Sequence, residues 1–261
     1  MTPRISIVIP ARSDAAALGE TLAALDRLAG REAAEVLVCA AGDPAGVEPA
    51  VAGRARLLWP TGSTRAALLD AGGSAARGEV LFFLHADSVP PENAFALIAN
   101  ALSDPNVVGG AFEHCFAEPG WSLRAISAIN RLRYRLTRNY YGDQGIFVRA
   151  ATFRRMGGYR GLGVMEDLDF SRRLKRVGRT VLVRVPLRTS GRRFLARGPW
   201  RTFFFIVWLL LLYTLRRDTQ RYAERWRGPA DLTPGSPWPG VGLRRAAGLA
   251  GGGGLTPEAT K

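Results

Sequence analysis

The stretch Glu79–Ala94 reads EVLFFLHADSVPPENA. The run Val80–Leu84 is apolar throughout and stops at His85-Ala86-Asp87-Ser88, just ahead of two prolines. A short continuous apolar run bounded by turn signals fits a strand buried on both faces. A carboxylate where such a strand leaves the sheet has two readings. It caps the turn or the helix that follows Pro90-Pro91, or it holds a hard divalent cation against a bound diphosphate. In open α/β sheets ligands sit at the carboxyl ends of the strands, which is where Asp87 falls.

Working outward, Ile5–Pro10 and Glu35–Ala40 are two more apolar runs of strand length, and Ala55–Trp59 is a shorter third. Between them, Asp14–Leu28 carries Leu18, Leu22, Leu25 and Leu28 at helical spacing, with Ser13 or Asp14 as cap. Thr64–Ala76 is Ala-rich and helical, although Gly72 and Gly73 weaken it. Strands alternating with helices predict an α/β fold, with a mixed, mainly parallel sheet and helices on both faces. Downstream, the pattern gives strands over Val107–Phe116, Gln144–Arg149 and Thr180–Val185. It gives helices over Arg124–Thr137, Ala151–Met156 and Asp167–Val177, the last two closed by glycines.

The chain has 261 residues, is 47% hydrophobic and carries a net charge of +14. That composition supplies a sizeable core and excludes disorder as the default. The positive charge is almost all Arg, with Lys only at Lys175 and Lys261. Arg favours planar bidentate partners such as phosphate, so the charge points to nucleic acid, an anionic membrane face or a phosphorylated substrate. No helix-turn-helix and no aromatic-basic interleaving supports a nucleic-acid partner. Cys39 and Cys115 form no C-x-x-C pair and read as reduced thiols of a cytosolic protein. The opening MTPRISIVIP lacks the pattern of a signal peptide.

Other strand ends repeat the polarity of Asp87. MEDLDFSRRLKRVG, from Met165, sets Glu166 and Asp167 at the start of an amphipathic helix. There they either complement the helix dipole or serve as a general base at a cleft edge. Asp143 and Gln144 occupy a glycine-flanked turn in YYGDQGIFVR. Taken in order, SIVIP, RGEVLFFLHADS, YGDQGIFVR, MGGY and MEDLDFSRRLKRVGR resemble the family-2 glycosyltransferases of GT-A fold. The resemblance is closest to the bacterial subgroup associated with radical-SAM and selenodomain proteins, and covers roughly residues 4 to 226.

The resemblance implies roles. His85-Ala86-Asp87 takes the place of the D-x-D motif, with Asp87 as ligand of a divalent cation, Mg²⁺ or Mn²⁺, on the donor diphosphate. Pro10, Arg12, Asp14, Arg65, His85, Arg192 and Arg193 fall on the side of the nucleotide-sugar donor. Asp143 and Gln144 fall on the acceptor side. Asp167, or else Glu166, is the base that takes the proton of an acceptor hydroxyl in an inverting transfer. The chain also departs from the family at Ala40, where an Asp usually reads the base, and at Leu68 and Asp70, where the subgroup carries Gln and Asn. These departures leave the nucleotide open. They keep a non-catalytic nucleotide-sugar-binding protein beside the enzyme reading. A nucleotidyltransferase is disfavoured because PARSDAAALGE has no Gly-rich basic signature, and a dehydrogenase because no G-x-G-x-x-G follows the first strand.

The most apolar stretch is Thr202–Leu215, flanked by Arg197, Arg201, Arg216, Arg217, Arg221 and Arg225. As a helix its 14 residues reach about 21 Å, short of the roughly 30 Å hydrocarbon core. A helix on the membrane surface is expected, ahead of a buried core helix or a tilted span. This suits an apolar or lipid-linked acceptor and a place at the inner face of the cell membrane. The expected division is a catalytic domain over 1–198, an apolar and basic helical segment over 199–226, and a flexible Gly/Pro-rich tail over 227–261.

Overall fold

A computed structural model describes residues 4–12 and 15–223. The capping positions Ser13 and Asp14 and the tail expected over 227–261 lie outside them. In chain order the regular elements are β1 (Ile5–Ala11), α1 (Ala15–Leu25), β2 (Glu35–Ala40), α2 (Glu48–Val51), β3 (Arg56–Leu58) and α3 (Arg65–Ala75). There follow β4 (Val80–Phe83), β5 (Ser88–Val89), α4 (Ala94–Ala101), β6 (Val107–Phe116), α5 (Trp121–Thr137) and β7 (Ile146–Arg149). The last are α6 (Ala150–Arg155), α7 (Glu166–Val177), β8 (Arg179–Thr189), α8 (Arg192–Arg197) and α9 (Pro199–Thr214).

The eight strands form one sheet in the order β3-β2-β1-β4-β7-β6-β8-β5. Its first four strands are parallel, as the alternation of strands and helices requires. Strand β7 runs antiparallel to both β4 and β6, while β8 lies parallel to β6. Apolar side chains from each central strand go to both faces. Ile7, Ile9 and Phe82 enter one core with Leu18, Leu22 and Phe95. Val8, Leu37 and Phe83 enter the other with Leu68, Phe153 and Phe170. Burial on both faces is why these strands read as unbroken apolar runs rather than alternating ones.

Helix α3 begins where Thr64 Oγ1 accepts the Ala67 N–H at 3.1 Å, which fixes Arg65 as its first residue. Gly72 and Gly73 have a packing role. A Cβ at Gly72 would lie 2.7 Å from Cys39 Sγ, and one at Gly73 would lie 2.7 Å from a Phe153 ring carbon. The helix therefore sits closer to the sheet at Gly72, and to α6 at Gly73, than Ala would allow.

Helix α9 is 16 residues long, about 24 Å, and no helix among the described residues is long and apolar enough to cross a membrane. The tilted single span is thus corrected. Nor is α9 a fully buried core helix. Thr202, Leu209 and Leu212 are buried, whereas Phe204, Trp208, Leu211 and Leu215 form an exposed stripe. Its inner face is anchored by the Tyr213 hydroxyl, which donates to Asp169 Oδ1 of α7 at 3.3 Å.

Candidate active site

The chain leaves β4 after Leu84, whose N–H still bonds the Val8 carbonyl of β1 at 3.0 Å. His85, Ala86 and Asp87 then turn across the carboxyl edge of the sheet. The turn is pinned from the far side, where the Ser190 N–H donates to the Asp87 carbonyl at 3.0 Å. Beyond it the two-residue β5 pairs with β8. Asp87 therefore stands at a strand exit clamped on both sides.

Arg65 faces this turn from the start of α3. Its Nη1 donates to Glu166 Oε1 at 2.7 Å, and its Nη2 contacts His85 Nε2. A guanidinium can only donate, so Nε2 accepts and the ring proton belongs on Nδ1. Nδ1 lies 3.9 Å from Asp87 Oδ1. Burial, reinforced by the Arg65 charge, holds His85 well below its ordinary pKa, so the ring is neutral at physiological pH. Burial also opposes the charge on Arg65, but Glu166 and Asp167 outweigh it and hold the guanidinium above its usual value.

Glu166 and Asp167 open α7 after Met165, a non-glycine residue at φ 65°. Left-handed backbone is costly for such a residue and is retained where the surrounding structure over-determines it. The two carboxylates part company here. Glu166 is buried against Arg65, and burial together with Asp167 raises its pKa against the pull of Arg65. Asp167 Oδ2 accepts the Gly142 N–H at 2.7 Å, and Oδ1 accepts the Leu168 N–H at 2.7 Å. Its orientation is thereby fixed toward the cleft.

Two adjoining cavities run from these groups. One, of about 270 Å³, is lined by Arg12, Arg65, Met165, Glu166 and Asp167. The second, of about 420 Å³, is lined by Asp87 and His114 and walled by side chains of α5, α8 and α9. His85, Tyr141, Asp143, Arg193, Ile206 and Leu210 border both. Ile206, Leu209 and Leu210 belong to α9, so the segment expected apart from the catalytic domain walls its cleft.

Other expected residues fall less simply. Pro10 stays within β1, in register with Cys39. Arg192 opens α8, and it and Arg193 beside it are both exposed; of the two, Arg193 lines both cavities. Gln144 spends its amide on the backbone. Its Nε2 donates to the Phe112 carbonyl at 3.1 Å, and its Oε1 accepts the Tyr141 N–H at 2.9 Å. It is buried and holds the Gly142–Gln144 turn, so Asp143 alone of that pair faces the main cavities. The sequence reading passed over His114, which sits on β6 with its Nε2 3.6 Å from Asp143 Oδ2. Its signal was a polar ring among the same-face residues Phe112 and Phe116 of an apolar strand.

The donor set suits a divalent cation. Asp87 Oδ1 and Asp143 Oδ1 are buried and have no hydrogen-bond partner among the described residues. Carboxylate oxygens are hard ligands of the kind Mg²⁺ and Mn²⁺ prefer. No cluster of three or more His, Cys, Asp or Glu able to hold a metal occurs among the described residues.

Residues 6–157, more than half of the chain, match the family model for glycosyl transferase family 2. The chain belongs to that family. Among solved structures, it is similar to the mannosyltransferase PcManGT from Pyrobaculum calidifontis, in complex with GDP-Man and Mn²⁺. The TM-score is 0.55 at 20% identity, covering 79% of this chain and 65% of that one. It is also similar to TarS of S. aureus, with a TM-score of 0.54 at 13% identity, covering 74% of this chain and 39% of that one. The chain thus matches less than two thirds of the length of either structure, and the likeness establishes a common GT-A-type fold. A comparison with curated proteins finds no match.

Proposed function

We propose that the protein transfers a sugar from a nucleoside-diphosphate sugar to an acceptor hydroxyl, with inversion at the anomeric carbon and with a divalent cation on the donor diphosphate. The observation that carries this reading is the pair of buried, unbonded oxygens on Asp87 and Asp143, set beside Arg65 and Arg193 at the carboxyl edge of the sheet. Asp87, with Asp143, would hold the cation. Bound there, the cation supplies positive charge to the leaving diphosphate.

Arg12, Arg65 and Arg193 line the same cleft and meet the charge that grows on the diphosphate oxygens. His85 is neutral, so it adds no charge to oppose the cation. Asp167 is the base. Its carboxylate is oriented by two backbone N–H groups and borders the cleft, whereas Glu166 is committed to Arg65. Glu166 is accordingly a positioning residue. A single displacement assisted by one base inverts the sugar carbon. The complex of PcManGT with GDP-Man and Mn²⁺ supports the same class of donor and cofactor. Assignment to the radical-SAM-associated subgroup rests on the LHAD, YGDQ and MED motifs.

The same reading puts the protein at an anionic membrane face, the inner face of the cell membrane. Helix α9 exposes Phe204, Trp208, Leu211 and Leu215, and α5 exposes Trp121, Leu132 and Leu136. Trp121 and Trp200 bring the two helices together, with ring centroids 5.9 Å apart. Arg124, Arg131, Arg135, Arg201, Arg216 and Arg217 are also exposed on these helices and the turn after α9. That combination favours anionic lipid.

Thermal unfolding with nucleoside diphosphates of each base, with and without Mn²⁺, tests the core of the proposal. Stabilisation by a diphosphate only when Mn²⁺ is present, and lost in Asp87→Asn, is the expected result. No response to any nucleotide overturns it.

A further inference from the structure

We propose that the larger cavity is the acceptor site and that it takes an amphiphilic alcohol. The hydroxyl meets His114 and Asp143, and the hydrocarbon part lies between α5 and α9. The assignment rests on the glycosyltransferase reading of the neighbouring lobe and names the substrate class for its second half.

The cavity, about 420 Å³, falls within the roughly 300–1,000 Å³ range of small-molecule sites. Its walls are Phe116, Ile129, Phe194, Phe203, Val207 and Leu210. Several polar groups on those walls are already engaged, although Arg133 Nε has no hydrogen-bond partner among the described residues. Arg133 Nη1 donates to the Asn139 carbonyl, and its guanidinium stacks on Tyr141 at 3.6 Å. Thr189 is bonded to Ser88 and to the Asp143 carbonyl, and the Ser190 hydroxyl donates to Glu118. A polyhydroxylated acceptor would find few free partners along these walls, whereas a hydrocarbon would find a matching surface.

The inner end is different. His114 is only 4% exposed, and neither ring nitrogen has a hydrogen-bond partner among the described residues. Asp143 Oδ2, the oxygen not assigned to the cation, lies 3.6 Å from His114 Nε2. Buried polar groups are ordinarily paired, so a cluster left open at the end of a cavity marks where a ligand supplies the partner. A hydroxyl is both donor and acceptor and answers an imidazole nitrogen and a carboxylate oxygen together. This end of the cavity opens into the lobe that holds Asp167, through the shared residues His85, Tyr141 and Asp143.

The test titrates primary n-alkanols from hexanol to dodecanol into the full chain by calorimetry. The expected result is one-to-one binding that tightens about fourfold per methylene until the cavity is filled. The methyl ether of the same chain length binds about fivefold more weakly, having lost a hydrogen bond. Val207→Trp and Ile129→Trp, both at partly exposed wall positions, end the gain at shorter chains. Thermal unfolding reports whether each variant is folded. Chain-length dependence unchanged in the folded variants places the alkanols elsewhere and overturns the assignment, as does no dependence in the parent chain. Nucleoside diphosphate with Mn²⁺ is titrated into the same preparations. A chain that binds nucleotide but shows no dependence on alkanol length loses this acceptor class and keeps its donor site.

Discussion

Arg65 Nη1 stands 2.7 Å from Glu166 Oε1, while Nη2 of the same guanidinium contacts His85 Nε2. One side chain on the first residue of α3 thereby joins the exit of β4 to the start of α7, whose Glu166 is 101 residues from Arg65 in sequence. Geometry of this kind is what Arg offers and Lys does not, because two partners are met in one plane.

Removing one partner of that pair strands the other. Glu166→Ala leaves the Arg65 charge largely out of water, and a loss of about 3 kcal/mol is expected in urea unfolding. The double change Arg65→Met, Glu166→Leu replaces the pair by apolar groups of similar length and recovers most of that loss. Sugar transfer is not recovered. A double variant as unstable as the single one would show that the pair supports the fold through contacts other than its charges.

Asp87 is held above the usual carboxylate range by burial, against the opposing charges of Arg193 and Arg65. Its folded pKa thus exceeds the unfolded one, so the native chain holds the proton more tightly. The stability this group contributes is full below the unfolded value, about 3.9, and is lost as pH rises through the raised folded value. Asp87→Asn carries no such penalty. Without metal, the variant melts higher than the parent at pH 7, and the gap closes as pH falls below the ordinary carboxylate range. Mn²⁺ raises the melting temperature of the parent alone, and transfer by the variant drops about a hundredfold or more. Parallel pH profiles for the two proteins would count against an ionised, strained Asp87.

Asp167 is expected to separate catalysis from stability. Asp167→Asn keeps an oxygen for the Gly142 N–H, which the carboxylate accepts at 2.7 Å. The amide leaves the Leu168 N–H without its acceptor, so unfolding should change by about 1 kcal/mol, in the range of one lost hydrogen bond. The proton acceptor is gone, so kcat falls by about 10² to 10⁴ while KM for the donor stays near its parent value. A rise in donor KM at unchanged kcat would move the residue from base to binding.

Much of this site was legible before any coordinates, for a physical reason. Strands β1, β2 and β4 bury both faces, so each appears as a bare apolar run, and the first polar residue after it marks the carboxyl edge. Asp87 stands out in this way, whereas Arg65 and the Glu166-Asp167 pair open helices, and Arg65 follows only from the family resemblance. The parallel half followed from the alternation of strands with helices, but the direction of the later strands was not legible, because no such regular alternation continues there. The reversal of β7 between β4 and β6 follows from pairing alone. Helix α8 has only six residues, too few for a helical period to show. Gln144 lies in a loop, where a polar residue gives no hint that its amide is turned inward onto Phe112 and Tyr141. His114 was hidden by its strand, whose pattern asked only for burial.

The two faces of α9 permit a sharper test of membrane contact than its composition did. Leu209 is only 1% exposed, whereas Leu211 and Trp208 are each 47% exposed. Arg at Leu209 would place a charge inside the fold, so its effect on lipid binding would be confounded with unfolding. Leu211→Arg and Trp208→Arg instead change the outer stripe and should cost the fold less than about 0.5 kcal/mol each. In flotation with vesicles containing phosphatidylserine, the parent rises with the lipid and the double variant stays at the bottom. The parent's binding weakens as salt is raised, because exposed arginines attract the anionic surface only over a Debye length of about 10 Å at 0.1 M. Equal flotation of parent and variant would remove α9 from the contact. Binding indifferent to both salt and lipid charge would remove the flanking arginines.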